Sequence, residues 1–169
     1  MIIKILGALI FVSSCTGFGL CINKENKIKI KEFKNFKKCV EVMKNDMCMS
    51  FKSFYKALET TSECADVFIF RELLKCSNNE NTIPLYEKIE DLLTNIKKCG
   101  FYNNKDIHVF ENINNIIGNT DISCLKKNFE LLELETDNRI AELNDDIKSK
   151  SLLGKIAIYV SFIIVVFLF

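Results

Sequence analysis

The sequence predicts an all-α protein, a small disulfide-stapled helical bundle of about five helices with an N-terminal signal peptide and a C-terminal hydrophobic tail. Three observations lead there. Apolar residues recur at three and four positions rather than two, which is the helical period. Proline occurs once, at Pro84, and only six glycines interrupt the chain. Eight cysteines lie between two apolar ends, residues 2–12 and 156–169.

The first helix is expected over about residues 30–58. Phe33, Phe36, Val40, Met43, Met47, Phe51, Phe54 and Leu58 keep helical spacing there and define a face to be buried. A lysine stripe, Lys24, Lys27, Lys31, Lys34 and Lys38, runs opposite. It is expected to be a solvated face beside the acidic last helix, which carries Glu130, Glu133, Glu135, Asp137, Glu142, Asp145 and Asp146; a heparin-like or lipid-headgroup site is the alternative. A net charge of only +1 argues against nucleic acid as a partner.

Local signals place the remaining helices. Thr61 or Ser62 can cap a short second one carrying Cys64, Val67, Phe68, Leu73 and Leu74, with a polar loop over residues 77–81. Thr82 and Pro84 open the next, since proline suits a first turn. Leu85, Ile89, Leu92, Leu93 and Ile96 form its apolar stripe, and Gly100 is its stop. Asp106 is expected to cap a fourth helix with Ile107, Phe110, Ile113 and Ile117 inward, ending at Gly118. Thr120 or Asp121 then starts a fifth, through Cys124, Leu125, Phe129, Leu132, Ile140 and Leu143.

The two ends set the expected location. Lys4 before an apolar stretch, with Ser13, Ser14, Gly17 and Gly19 following, reads as a secretory signal over residues 1–19. A retained membrane anchor and a bacterial lipidation box ending at Cys15 are the alternatives. The terminal run of fourteen residues, apolar apart from Ser161 and the hydroxyl of Tyr159, has no polar residue after it, the pattern of a glycosylphosphatidylinositol attachment signal. Asn144, Asp145, Asp146 or Ser149 is then the acceptor, and residues 147–155 the spacer. A transmembrane helix is the alternative. The domain between these ends, residues 20–146, is long enough for one core.

This route sets the chemistry expected of the cysteines. In an oxidising compartment thiols become bridges, so Cys21, Cys39, Cys48, Cys64, Cys76, Cys99 and Cys124 are disulfide candidates for about three bridges of open connectivity. No Cys-x-x-Cys pair occurs and His108 is the single histidine, a poor set of zinc ligands. The sequence contains no Gly-x-Ser-x-Gly elbow, phosphate loop or His-Glu-x-x-His helix. No catalytic residue, cofactor or metal is expected.

Phe33-Lys34-Asn35-Phe36-Lys37-Lys38-Cys39, the Cys48-x-x-Phe51 step and the cysteines from Cys64 to Cys124 resemble nematode secreted cysteine-rich helical domains of unknown function, over residues 21–134. The resemblance implies an extracellular protein and carries over no functional residue. The expected function is therefore that of an extracellular, surface-displayed binding or structural protein at the outer face of the plasma membrane. Its partners are the membrane, through the tail or a lipid anchor, and an extracellular protein. The alternative is a secreted carrier of lipid or another small apolar ligand, because a phenylalanine-rich bundle can enclose a cavity.

Overall fold

The structure is a computed structural model that describes residues 2–64, 67–78, 84–117, 119 and 121–168. Within the two apolar ends it describes the backbone but few side chains. Among the described residues, six α-helices and one 3₁₀ turn follow in order: α1 (Ile2–Cys48), α2 (Phe54–Cys64), α3 (Phe68–Asn78), α4 (Leu85–Lys98), α5 (Asn104–Glu111), the turn Asn112–Asn115 and α6 (Ile122–Leu168). No strand occurs among the described residues. The all-helical expectation holds with one helix more than the five predicted.

The extra helix arises where the first was expected to continue. α1 ends at Cys48, and residues 49–53 turn before α2 begins at Phe54. Asp46 fixes this turn twice, its carbonyl accepting from the Lys52 N–H at 3.0 Å and its carboxylate from Lys52 Nζ at 2.8 Å. Phe51 occupies the left-handed region with φ 52° and is 72% exposed, a backbone that disfavours a side chain by about 1–2 kcal/mol. Phe51→Gly should therefore raise stability by about 0.5–1 kcal/mol in chemical denaturation, after allowance for the freer unfolded glycine. A loss of that size would show that the ring contributes more contact than strain.

Other ends follow their sequence signals in part. Thr61 and Ser62 lie inside α2, and Thr61 Oγ1 donates to the Ala57 carbonyl at 2.6 Å, so neither caps a helix. α3 starts at Phe68 and extends to Asn78, past the expected loop start at Ser77. Pro84 sits at the N-cap of α4, one residue before its first turn. Thr82, Gly118 and Thr120 lie outside the described residues. Gly100 has φ +72°, the conformation expected of a helix stop. The cap of α5 is Asn103 rather than Asp106: Asn103 Oδ1 accepts from the Asp106 N–H, and Asp106 Oδ2 accepts from the Asn103 N–H, both at 2.9 Å. This reciprocal pair is a capping box with aspartate at its third position. Asp121 opens α6, its carboxylate accepting from the Ser123 N–H at 2.9 Å; these hydrogen bonds hold the exposed Asp121 carboxyl below its usual range.

Two units divide the chain, one of Met1–Lys31 with Ala141–Phe169 and the other Glu32–Ile140. The second contains most of the described core. Phe33, Phe36, Val40 and Met43 of α1 are buried, as are Leu58 of α2, Phe70 and Leu73 of α3, and Ile89, Leu93 and Ile96 of α4. Phe110 of α5 and Leu125, Phe129 and Leu132 of α6 complete it. Ile116 is buried where the sequence suggested Ile117. Four aromatic rings hold its middle. Phe36 stacks on Phe70 at 5.3 Å and meets Phe110 edge-on at 5.2 Å, while Phe110 stacks on Phe33 at 5.4 Å.

One buried ion pair crosses this core. Arg139 Nε donates to Asp106 Oδ1 at 2.7 Å, with side chains 5% and 0% exposed. Asp106 thus serves two elements, turning the start of α5 with one oxygen and holding α6 with the other.

In the other unit, Lys29 and Glu25 are 3.6 Å apart on α1 and Lys148 and Asp145 3.1 Å apart on α6. The four lipid-attachment candidates, Asn144, Asp145, Asp146 and Ser149, all lie within α6. The polar spacer expected over residues 147–155 is helical as well.

Candidate functional site

α4 and α5 leave an open groove between them, within the unit Glu32–Ile140. Tyr86, Glu90, Leu93, Thr94 and Lys97 recur at helical spacing along one face of α4, and Ile107 and Glu111 of α5 with Asn114 form the other wall. Leu93 and Ile107 are buried and make an apolar floor. Glu90, Lys97, Glu111 and Asn114 are exposed and make a polar rim. The space is about 430 Å³, wide enough for side chains of a bound segment. Tyr86 stands at its mouth, 56% exposed, its hydroxyl donating to Glu87 Oε1 at 2.9 Å. An apolar floor inside a polar rim is the layout of a protein-recognition surface.

A second notch lies among α1, α3, α4 and α5, lined by Phe36, Phe68, Ile96 and Phe110 and closed by Tyr102. Tyr102 donates to Glu32 Oε2 at 2.6 Å, and burial, followed by this contact, holds its hydroxyl far above the usual tyrosine range. The notch has about 30 Å³, room for a water or two and none for an acyl chain. Phenylalanines that suggested a ligand cavity fill the core instead.

The cysteines depart furthest from expectation. All six whose side chains are described, Cys39, Cys48, Cys64, Cys76, Cys99 and Cys124, are free thiols; the side chain of Cys21 lies outside the described residues. Bridging requires paired, facing Cβ atoms. Here Cys39 is buried while Cys64, Cys99 and Cys124 are exposed on three different helix ends. Burial pushes the Cys39 thiol up to about 11, with Cys64 adding to the shift, and its Sγ donates to the Thr61 carbonyl at 3.9 Å. Burial likewise raises Cys48 and Cys76. A thiol held protonated is a weak nucleophile at neutral pH. His108, exposed on α5, completes no metal-binding cluster among the described residues.

These shifts have a measurable sign. Cys39 keeps its proton in the folded chain to about pH 11, whereas an unfolded thiol ionises near about 8.5. Its contribution to stability is complete below the lower value and is lost as pH rises through the upper one. The melting temperature should fall between those limits, and alkylation of native protein at pH 8 should modify Cys64, Cys99 and Cys124 while sparing Cys39. Equal modification of Cys39 without denaturant would contradict its burial.

The lysine stripe is solvated, as the sequence suggests. Lys24, Lys27, Lys31, Lys34 and Lys38 are all exposed. α1 meets α6 through other lysines: Lys37 Nζ donates to both Asp137 oxygens at 2.6 and 2.8 Å, and Lys44 Nζ to both Glu133 oxygens at 3.2 Å. The hydrogen bond to Asp137 raises the Lys37 ammonium above its usual range. The acidic face was legible; the lysines that reach it lie beside the core stripe, where the packing of two helices brings side chains together.

Fold and groove together describe a small protein, all-helical over the described residues, with an open groove between α4 and α5. A protein-family model described as Stage III sporulation protein AB (spore_III_AB) matches residues 4–169, and the chain belongs to this family. No curated protein and no solved structure matches it.

Membership in a bacterial sporulation family overturns the extracellular reading. The resemblance to nematode secreted domains was misplaced, because it rested on cysteine spacings that free thiols do not use. A surface-displayed protein at the extracellular face of a plasma membrane, an extracellular partner, a glycosylphosphatidylinositol anchor and a secreted apolar carrier all fall with it. Among the described residues, no helix is long and apolar enough to cross a membrane.

Proposed function

We propose that this chain acts in the third stage of sporulation as a non-catalytic docking protein, holding a segment of another protein in the groove between α4 and α5. The observation that carries this reading is the groove itself, about 430 Å³ with Leu93 and Ile107 as floor, in a chain whose family is a sporulation family. Two exposed glutamates on opposite walls, Glu90 and Glu111, against one lysine, Lys97, favour an occupant with basic side chains around an apolar anchor.

Complementation tests the proposal. Deleting the gene in the spore-forming bacterium that carries it should stop sporulation at stage III, and the wild-type gene should restore heat-resistant spores. Glu90→Lys with Glu111→Lys should leave helical content unchanged and lower the spore titre at least tenfold. A full titre from that variant would place the function away from the groove.

A further inference from the structure

The outward faces of α1 and α6 are complementary to each other. The core takes one face of α1, with Phe33, Phe36, Val40 and Met43, and one face of α6, with Leu125, Phe129 and Leu132. At 100° per residue, the face of α1 opposite its core carries Lys34, Lys38 and Glu41, all exposed. The corresponding face of α6 carries Lys127, Glu130, Leu131 and Leu134, also exposed, with the leucines 46% and 57% accessible. Lys38, Glu41, Lys127 and Glu130 have no ion pair among the described residues, although their neighbours Lys37, Lys44, Glu133 and Asp137 are paired.

We infer that this chain associates with a second copy of itself, α1 of one copy lying antiparallel along α6 of the other, with Lys38 opposite Glu130 and Glu41 opposite Lys127. One register satisfies both pairs, because each helix separates its two charges by three residues and the signs run in opposite order along antiparallel chains. In that register Lys34 falls opposite Leu134, so its aliphatic stem covers the leucine while the ammonium stays in water. Leu131 is enclosed between the Lys38 and Lys34 stems. An antiparallel overlay of α6 on α6 would also set Lys127 opposite Glu130, but only the α1–α6 pairing lays the Lys34 and Lys38 stems over Leu134 and Leu131, and only that pairing makes the α1 charges matter. This contact lies apart from the α4–α5 groove and does not depend on the docking role proposed for it.

Full-length chains bearing two different tags, expressed together in one cell, test the contact by co-purification at low and high salt. Wild-type copies should recover one another, less so at high salt. Lys38→Glu with Glu41→Lys inverts the α1 face at constant net charge and should reduce recovery at least tenfold; Lys127→Glu with Glu130→Lys should do the same. All four substitutions in one chain should restore it, because both pairs are then reversed together. Circular dichroism verifies that each variant keeps its helices. Wild-type copies that fail to recover one another, recovery indifferent to either inversion, or a fourfold variant no better than its parents would each overturn the inference.

Discussion

Replacing Arg139 with methionine should lower the stability of the unit Glu32–Ile140 by about 3–5 kcal/mol, the cost of leaving a buried partner charge without its mate. Asp106 has no exposed surface, and its two oxygens are committed to Arg139 and to the Asn103 N–H. Removing the guanidinium leaves a carboxylate that cannot reach water. With total stabilities of about 5–15 kcal/mol for a domain, a loss of this size should be visible as a large drop in the denaturant midpoint. Arg139→Met combined with Asp106→Leu should recover much of it, less about 1 kcal/mol for the lost half of the capping box. If the single and double variants were equally unstable, packing rather than charge would explain the loss.

Phe36→Ala should cost about 3–5 kcal/mol through the cavity it leaves. Its ring touches Phe70 from α3 and Phe110 from α5, so one truncation removes contacts among three helices at once. Amide exchange should accelerate in α3 and α5 as well as in α1, because the helices lose the same wedge. A loss under about 1 kcal/mol, or faster exchange confined to α1, would show that the aromatic cluster is not the centre of the core.

These two effects divide what the sequence disclosed from what it withheld. Phe36 stood out because helical periodicity is a direct projection of burial, and Phe33, Val40 and Met43 repeat it. Gly100 was readable for a similarly local reason, since a positive φ selects for the residue without a Cβ. Arg139 and Asp106 lie 33 residues apart, and nothing local marks either as buried; both look like ordinary surface charges until α5 and α6 meet. The sequence offers Asp106 as a cap, but Asn103 three residues earlier takes the cap and gives Asp106 its second duty.

The break at residues 49–53 carries no local sequence signal, since it contains neither glycine nor proline. Phe51, Phe54 and Leu58 continue the spacing of α1 across it, and the turn is closed by the Asp46–Lys52 contacts and by the Asn45 carbonyl, which accepts from the Met49 and Ser50 N–H groups. Cysteine fate depended on compartment rather than spacing: an oxidising route was inferred from the apolar ends, and bridges followed from that inference. Family membership removes the premise. The groove left only a faint trace, the recurrence of Tyr86, Glu90 and Lys97 beside the buried stripe of α4; its other wall comes from α5, whose placement no α4 residue announces.

The most direct test of the docking role is photo-crosslinking in sporulating cells, with a photoreactive amino acid in place of Tyr86 at the groove mouth and, as control, in place of the exposed Glu59 on α2. A discrete protein adduct formed from position 86 during stage III, absent from position 59 and abolished by Glu90→Lys with Glu111→Lys, is the predicted result. No adduct at position 86, or the same adduct from both positions, would contradict a partner held between α4 and α5.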